Sequence, residues 1–217
     1  MKKISKYKIN YNILAENLVH LGYPEKDRHH TNNHHIVTTD QKIDLINLIQ
    51  SLKALRKILY LISNIVSKKG KVLIYLEDSL LAKRQTKTNH LLKQIIVYEK
   101  WPHGLLSNFK RLGKRLNKFQ IKRIPNLAVY AVTKKKMETS INTEVKKLKI
   151  PHGAIIDTPL IATTGMYMVP GCTGSYRSIR FYNNLMLKAI IAGYQKEILF
   201  FHKKRKKNLK TKKKRSS

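Results

Sequence analysis

Acidic residues are scarce in this chain. Its 217 residues include 12 Asp and Glu against 45 Lys and Arg, a formal charge of +33. Cysteine is nearly absent: Cys172 stands alone, which excludes an internal disulfide framework and a cysteine-only zinc site. No run of 18 uncharged apolar residues occurs, so no helical membrane span is expected. Glycine-rich phosphate motifs are missing too: no G-x-G-x-x-G follows a strand pattern and no G-x-x-x-x-G-K-[ST] occurs. What is present is apolar content of 42 %, enough to bury a core and to exclude a wholly disordered basic protein. The length suits one domain with tails, and the charge calls for a polyanion, nucleic acid first.

The charge is spread along the chain. Residues 203–215, KKRKKNLKTKKKR, hold ten of the basic residues and no acid, leaving +23 on the rest. Blocks this dense repel themselves, so 203–217 reads as a flexible tail and 1–13 as a basic arm around a single 14–202 domain. Lys outnumbers Arg 35 to 10, which favours attraction to phosphates over bidentate base reading. Lys, Ile and Asn together supply 74 residues, types with codons rich in A and T, as expected of an organellar genome. The N-terminus is basic with no acid before Glu16, but it has few Arg and Ser, and it reads as an uncleaved start.

The apolar periodicity alternates between helix and strand. Ile43, Leu45 and Ile46 form a short apolar run, and Asn47 with Gln50 has the spacing of a capping box. Leu48, Leu52, Leu55, Leu59, Ile62 and Val66 then recur at helical spacing until Gly70. Strands are predicted at 71–76, 94–98, 127–132, 152–157 and 166–169, with helices at 79–93, 137–148 and 175–201. This order predicts parallel βαβ units and a three-layer α/β sandwich of the Rossmann or flavodoxin kind, ending near residue 202.

Four features could carry chemistry. Asp157 follows a predicted parallel strand, where ligands of open α/β sheets bind; the plainer reading is that it caps the turn DTP. Residues 171–174, GCTG, precede a helix and could hold one phosphate, or be a plain loop with Ser175 as cap. His29, His30, His34 and His35 form a cluster with no clear ligand geometry, read as a polar loop near RNA, without metal. Trp101, in KWPHGLLSNF, packs in the core by default and stacks on an unpaired base as the alternative.

These segments together resemble the small-subunit ribosomal protein S-two family. LVHLGY (18–23) keeps His20 and Gly22 of the family's N-terminal stretch, with Tyr23 in place of a second His. LINLIQS (45–51) is similar to its strand-to-helix segment. KWPHGLLSNF (100–109) resembles its R-W-L-G-G-x-L-T-N-F block, with Trp101, Gly104, Asn108 and Phe109 in place. Residues 125–158 are similar to its P-D-L strand, E-A-x-x-L helix and I-P…DT segment, which ends at Asp157 and Thr158. VPGCTGSYRSI (169–179) matches at Pro170, Gly171, Arg177, Ser178 and Ile179, while Cys172, Thr173 and Gly174 replace the family's N-D-D. Bacterial members insert a helical hairpin after the T-N-F block. Here 15 residues separate Phe109 from Pro125, so that hairpin is nearly deleted.

The resemblance implies a non-catalytic part of the small ribosomal subunit, without cofactor, membrane or small-molecule substrate. Its partners would be small-subunit ribosomal RNA and neighbouring ribosomal proteins. The erosion and the composition point to a mitochondrial member, in the matrix, with a plastid one as alternative. The RNA contacts expected are Lys2, Lys3, Lys6 and Lys8 in the arm, Lys110, Arg111, Lys114 and Arg115 in the basic loop, Arg177, and Lys203, Lys204 and Arg205. Affinity should then fall with salt by a slope of roughly −0.7 to −0.9 per phosphate contacted. The competing readings are an RNA-modifying enzyme built around Asp157 or the 171–174 loop and, less compatible with a folded core, a DNA-packaging protein.

Overall fold

The computed structural model describes residues 9–76, 95–98, 101, 103–108, 125–131, 135–161 and 167–213, without the side chains of 95–98, 135–136 and 202–213. Outside the described residues lie Lys2, Lys3, Lys6, Lys8, Phe109, Lys110, Arg111, Lys114, Arg115, the helix expected at 79–93 and the shortened hairpin segment.

Apolar runs bounded by turn residues become five parallel strands: β4 (Val72–Leu76), β5 (Ile95–Tyr98), β6 (Leu127–Ala131), β7 (His152–Ile156) and β8 (Tyr167–Pro170). Their order is β5-β4-β6-β7-β8, the flavodoxin-like winding. β4, β6 and β7 are buried along their whole length, which is why they read as continuous apolar runs with no alternation. Both faces are covered. Val72, Ile74 and Leu76 point to the layer of α2 (Leu48–Ser67) and α4 (Tyr176–Lys213). Leu73, Tyr75 and Tyr130 point to the layer of α3 (Lys135–Lys147) and the 101–108 turn. The three-layer sandwich is therefore present.

A second sheet was not foreseen. β1 (Leu21–Pro24), β2 (Ile36–Asp40) and β3 (Ile43–Ile46) form an antiparallel sheet of order β1-β3-β2 after the short helix α1 (Tyr11–Glu16). Its strands are only partly buried, with polar residues at many positions, so they carry a weak pattern. Arg28 locks it from one side, donating through Nε to Asp44 Oδ2 at 2.9 Å and through Nη2 to Asp44 Oδ1 and Thr39 Oγ1.

The capping box is half realised. Asn47 Oδ1 accepts from the backbone N–H groups of Ile49 and Gln50 at 3.0 and 3.3 Å, as expected. The Gln50 side chain does not return to Asn47; its Oε1 accepts from His35 Nδ1 and its Nε2 donates to the His34 carbonyl. The Asn47 N–H donates to the His35 carbonyl instead, so the second half of the box is replaced by a bond to the preceding segment.

Helix ends repeat one device. After α2, Lys69 N donates to Val66 O and Gly70 N to Ile65 O, a Schellman motif. The left-handed residue is Lys69 (φ 62°), so Gly70 follows the stop and is not itself the stop. α1 and α3 end the same way, on Leu18 (φ 58°) and Lys149 (φ 53°). The last helix departs from expectation: it runs past residue 202 to Lys213, because Lys and Arg sustain helix well and no Gly or Pro interrupts them.

Candidate nucleic-acid interface

Four of the chain's few acids face inward. Asp44, Glu138, Glu144 and Asp157 are buried, and each holds backbone or side-chain donors of its own chain. Burying a carboxylate is costly unless it is paired or hydrogen-bonded, and these four are. With a third of its acids removed from the surface, the exterior is more cationic than the composition alone states.

Exposed cations lie on three helices. Lys53 and Lys57 stand one turn apart on α2, Lys146 and Lys147 close α3, and Arg177, Arg180 and Lys188 lie along α4. Among the described residues, ion pairs take Arg28 to Asp44 and Glu25, and Lys69 to Glu197. Lys146 and Lys147 suit the negative end of the α3 dipole. Arg177 and Arg180 do not: they sit at the start of α4, whose first turn carries no acid, where a cation opposes the dipole. An anion bound there would satisfy both the arginines and the helix end. Lys203, Lys204 and Arg205 continue the same helix.

The motif residues converge on two junctions. At the first, Asp157 Oδ1 accepts from Thr158 N at 2.8 Å, and Oδ2 accepts from the N–H and hydroxyl of Thr173. The Gly171 N–H donates to the Ile156 carbonyl at 3.0 Å, and a Cβ on Gly171 would collide with the Tyr182 hydroxyl. Pro170 ends β8 beside them, and Ser178 Oγ returns to the Ser175 carbonyl at 2.8 Å. The small sheet docks here. Tyr23 N donates to Thr158 Oγ1 at 2.9 Å, His29 N to Thr158 O at 2.9 Å, and Asn32 Nδ2 to the carbonyls of Asp157, Thr158 and Leu160. The His20 carbonyl accepts from Ile46 N at 2.8 Å, and a Cβ on Gly22 would lie 2.7 Å from the Thr158 methyl.

This geometry decides two open alternatives. Asp157 is 1 % exposed, so it is a clamp and not a base within reach of substrate. Burial pushes its carboxyl up to about 6, against the pull of the Thr173 and Thr158 bonds. The 171–174 loop is no phosphate cradle either, because its Thr173 N–H and hydroxyl already hold the Asp157 carboxylate. Burial and Asp157 push the Cys172 thiol up, in keeping with a small structural residue.

At the second junction Trp101 is 4 % exposed, and its ring meets Tyr75 edge-on with centroids 5.5 Å apart. It packs and does not stack on a base. Gly104 takes φ +77°, and Asn108 lies against it, its N–H donating to the Gly104 carbonyl at 2.9 Å. The turn is held by Glu144, a residue that no sequence motif marks as a site. Oε1 accepts from Trp101 Nε1 and Gly104 N at 3.0 and 2.8 Å, and Oε2 from Leu106 N and Ser107 N at 2.8 and 3.2 Å. The signal was available: Glu144 falls on the same helical face as Ile141, Val145 and Leu148, where a carboxylate needs partners.

The histidine cluster is structural. His30–His35 form a 3-10 helix capped by His29, whose Nδ1 also pairs with Thr31 Oγ1 at 2.8 Å. Burial holds His35 below the usual imidazole range despite its bond to Gln50. Among the described residues, no group of three or more His, Cys, Asp or Glu could hold a metal, and no helix is long and apolar enough to cross a membrane.

Known proteins resemble the chain along most of its length. The sequence model of the family described as Ribosomal protein S2 matches residues 14–136. The small ribosomal subunit protein uS2 of Pseudoalteromonas atlantica is 24 % identical, over 83 % of this chain and 89 % of its own length. The uS2 of Solidesulfovibrio magneticus is also 24 % identical, over 83 % and 84 %, and that of Shewanella sediminis 27 %, over 70 % and 77 %.

Proposed function

Because the chain belongs to the ribosomal protein S2 family, we propose that it is a structural constituent of the small ribosomal subunit that binds ribosomal RNA and neighbouring ribosomal proteins. The observation that carries the RNA reading is the division of charge: buried carboxylates clamp loops, while lysines and arginines occupy the outer helix faces. Such a surface attracts phosphate backbones and gains little base specificity. It also suits a passive role, because Asp157, the acid singled out at a strand end, is sealed inside the fold. The contacts proposed are the basic arm, the 110–115 segment, Arg177, and Lys203, Lys204 and Arg205 near the end of α4.

The test is sedimentation and binding together. The native protein should travel with small subunits at physiological salt and leave them at high salt. Binding of the full chain to small-subunit ribosomal RNA should weaken log-linearly with salt. Migration alone at physiological salt, or binding without salt dependence, overturns the reading.

We place the protein in a mitochondrial ribosome, with a plastid one as the alternative. The abundance of Lys, Ile and Asn and the short span between Phe109 and Pro125 support an organellar genome. Fractionation decides it: co-purification with mitochondrial ribosomes is the expected result, and with plastid or cytoplasmic ones the refuting result.

A further inference from the structure

α4 is 38 residues long, about 57 Å at 1.5 Å per residue. Among its described side chains the buried positions end at Gly193, where the helix crosses α2 so closely that a Cβ would lie 2.9 Å from the Ser63 carbonyl. Beyond the crossing, Ile198, Leu199, Phe200 and Phe201 are 55, 60, 65 and 48 % exposed. Four consecutive residues span most of a helical turn, so no single face of the domain covers them. Two adjoining grooves of about 370 and 530 Å³ open at this point, with Lys69, Glu197 and Phe201 as common walls and Val66 and Tyr194 deeper in. The rim is cationic: Lys68 is exposed, and Lys69 lies 4.6 Å over the Phe201 ring and 4.0 Å from Glu197. Past Phe201 the sequence continues HKKRKK.

We propose that this root of α4 is the docking site for an acidic, amphipathic segment of a neighbouring small-subunit protein. Its apolar side chains would seat against Ile198, Phe200 and Phe201, and its carboxylates would face Lys68 and Lys69. Contiguous exposed apolar surface marks an interaction site, and a cationic rim selects an anionic partner. RNA fits less well, because the aliphatic Ile198 and Leu199 offer a base no stacking surface and phosphates need no groove. A second copy would bring its own +33 charge against the same rim. A bilayer surface cannot enter the concave grooves. The proposal is independent of the RNA reading, since it uses apolar residues that contribute nothing to phosphate attraction.

The test places the photo-crosslinker p-benzoylphenylalanine at position 200 of the full chain, assembled into small subunits. The expected adduct is to a segment of another protein with a net negative charge and apolar residues three or four apart. The double variant Ile198→Ser/Leu199→Ser should lower its yield at least tenfold, while the salt slope for ribosomal RNA and the helical circular dichroism stay unchanged. An adduct to RNA, lipid, a second copy or a basic segment, or no adduct, overturns the proposal and leaves the RNA reading standing. An unchanged yield in the double variant also overturns it.

Discussion

The indole N–H of Trp101 donates to Glu144 Oε1 at 3.0 Å, joining a turn and a helix that lie 43 residues apart. The same carboxylate holds the backbone of Gly104, Leu106 and Ser107, so one acid organises the whole 101–107 turn. The side chains Trp101, Leu105 and Leu106 close the layer over Tyr75 and Tyr130.

Glu144→Ala should therefore cost about 3 kcal/mol or more, because it strands several buried donors of a charge-assisted network. Trp101 is the only tryptophan, so its emission reports the site directly. A red shift with a lowered urea midpoint is expected. Glu144→Gln should cost less, about 1–3 kcal/mol, since one oxygen remains as acceptor. An unshifted emission in the Ala variant would remove Glu144 from its organising role.

Asp157 makes stability depend on pH. Its folded carboxyl sits at about 6, above the unfolded value near 3.9, so the folded state binds the proton more tightly. The associated stability is complete below about pH 4 and is lost as pH rises through about 6, a change of about 3 kcal/mol. The difference between the native protein and Asp157→Asn, followed by urea unfolding from pH 4 to 7, isolates this component. A difference that does not vary over that range would refute it.

Lys149 holds a left-handed conformation at the end of α3 with no glycine to relieve it. A left-handed L-residue costs about 1–2 kcal/mol; Lys149→Gly removes that cost but loses roughly 0.4–1 kcal/mol of it to the glycine's greater unfolded-state freedom. A net gain of about 0.5–1 kcal/mol is expected in thermal or urea unfolding. A loss would mean that the lysine's interaction with the helix dipole outweighs the backbone strain.

Arg177 and Arg180 oppose the α4 dipole, so replacing both with Gln should leave stability unchanged or raise it by a few tenths of a kcal/mol. If they contact phosphates, the same change should flatten the salt slope of RNA binding by roughly 0.7–0.9 per residue. The pairing of the two results is the discriminating observation. A destabilised variant with an unaltered slope would make these arginines structural.

The elements legible from sequence were those governed by local pattern. The strand runs at 72–76, 127–131 and 152–156 and the α2 stripe from Leu52 to Val66 are apolar because both faces of the sheet are covered. The small antiparallel sheet is not legible in the sequence, because its strands are half-exposed and polar, and its closure by Arg28 and Asp44 depends on a pairing that no spacing encodes. The chain past residue 202 looked like a tail because charge repulsion predicts disorder, whereas it continues α4.

The scarcity of acid was readable at once, and with it a cationic protein in need of a polyanion. Where those acids point was not readable. A carboxylate's burial is decided by what the fold brings beside it, and the donors for Asp157 and Glu144 come from residues 16 and about 40 positions away. Composition determined the sign of the partner. The tertiary structure decided that four of those acids are clamped inside while many cations face out, because only a folded chain can supply a buried charge with enough donors to keep it there.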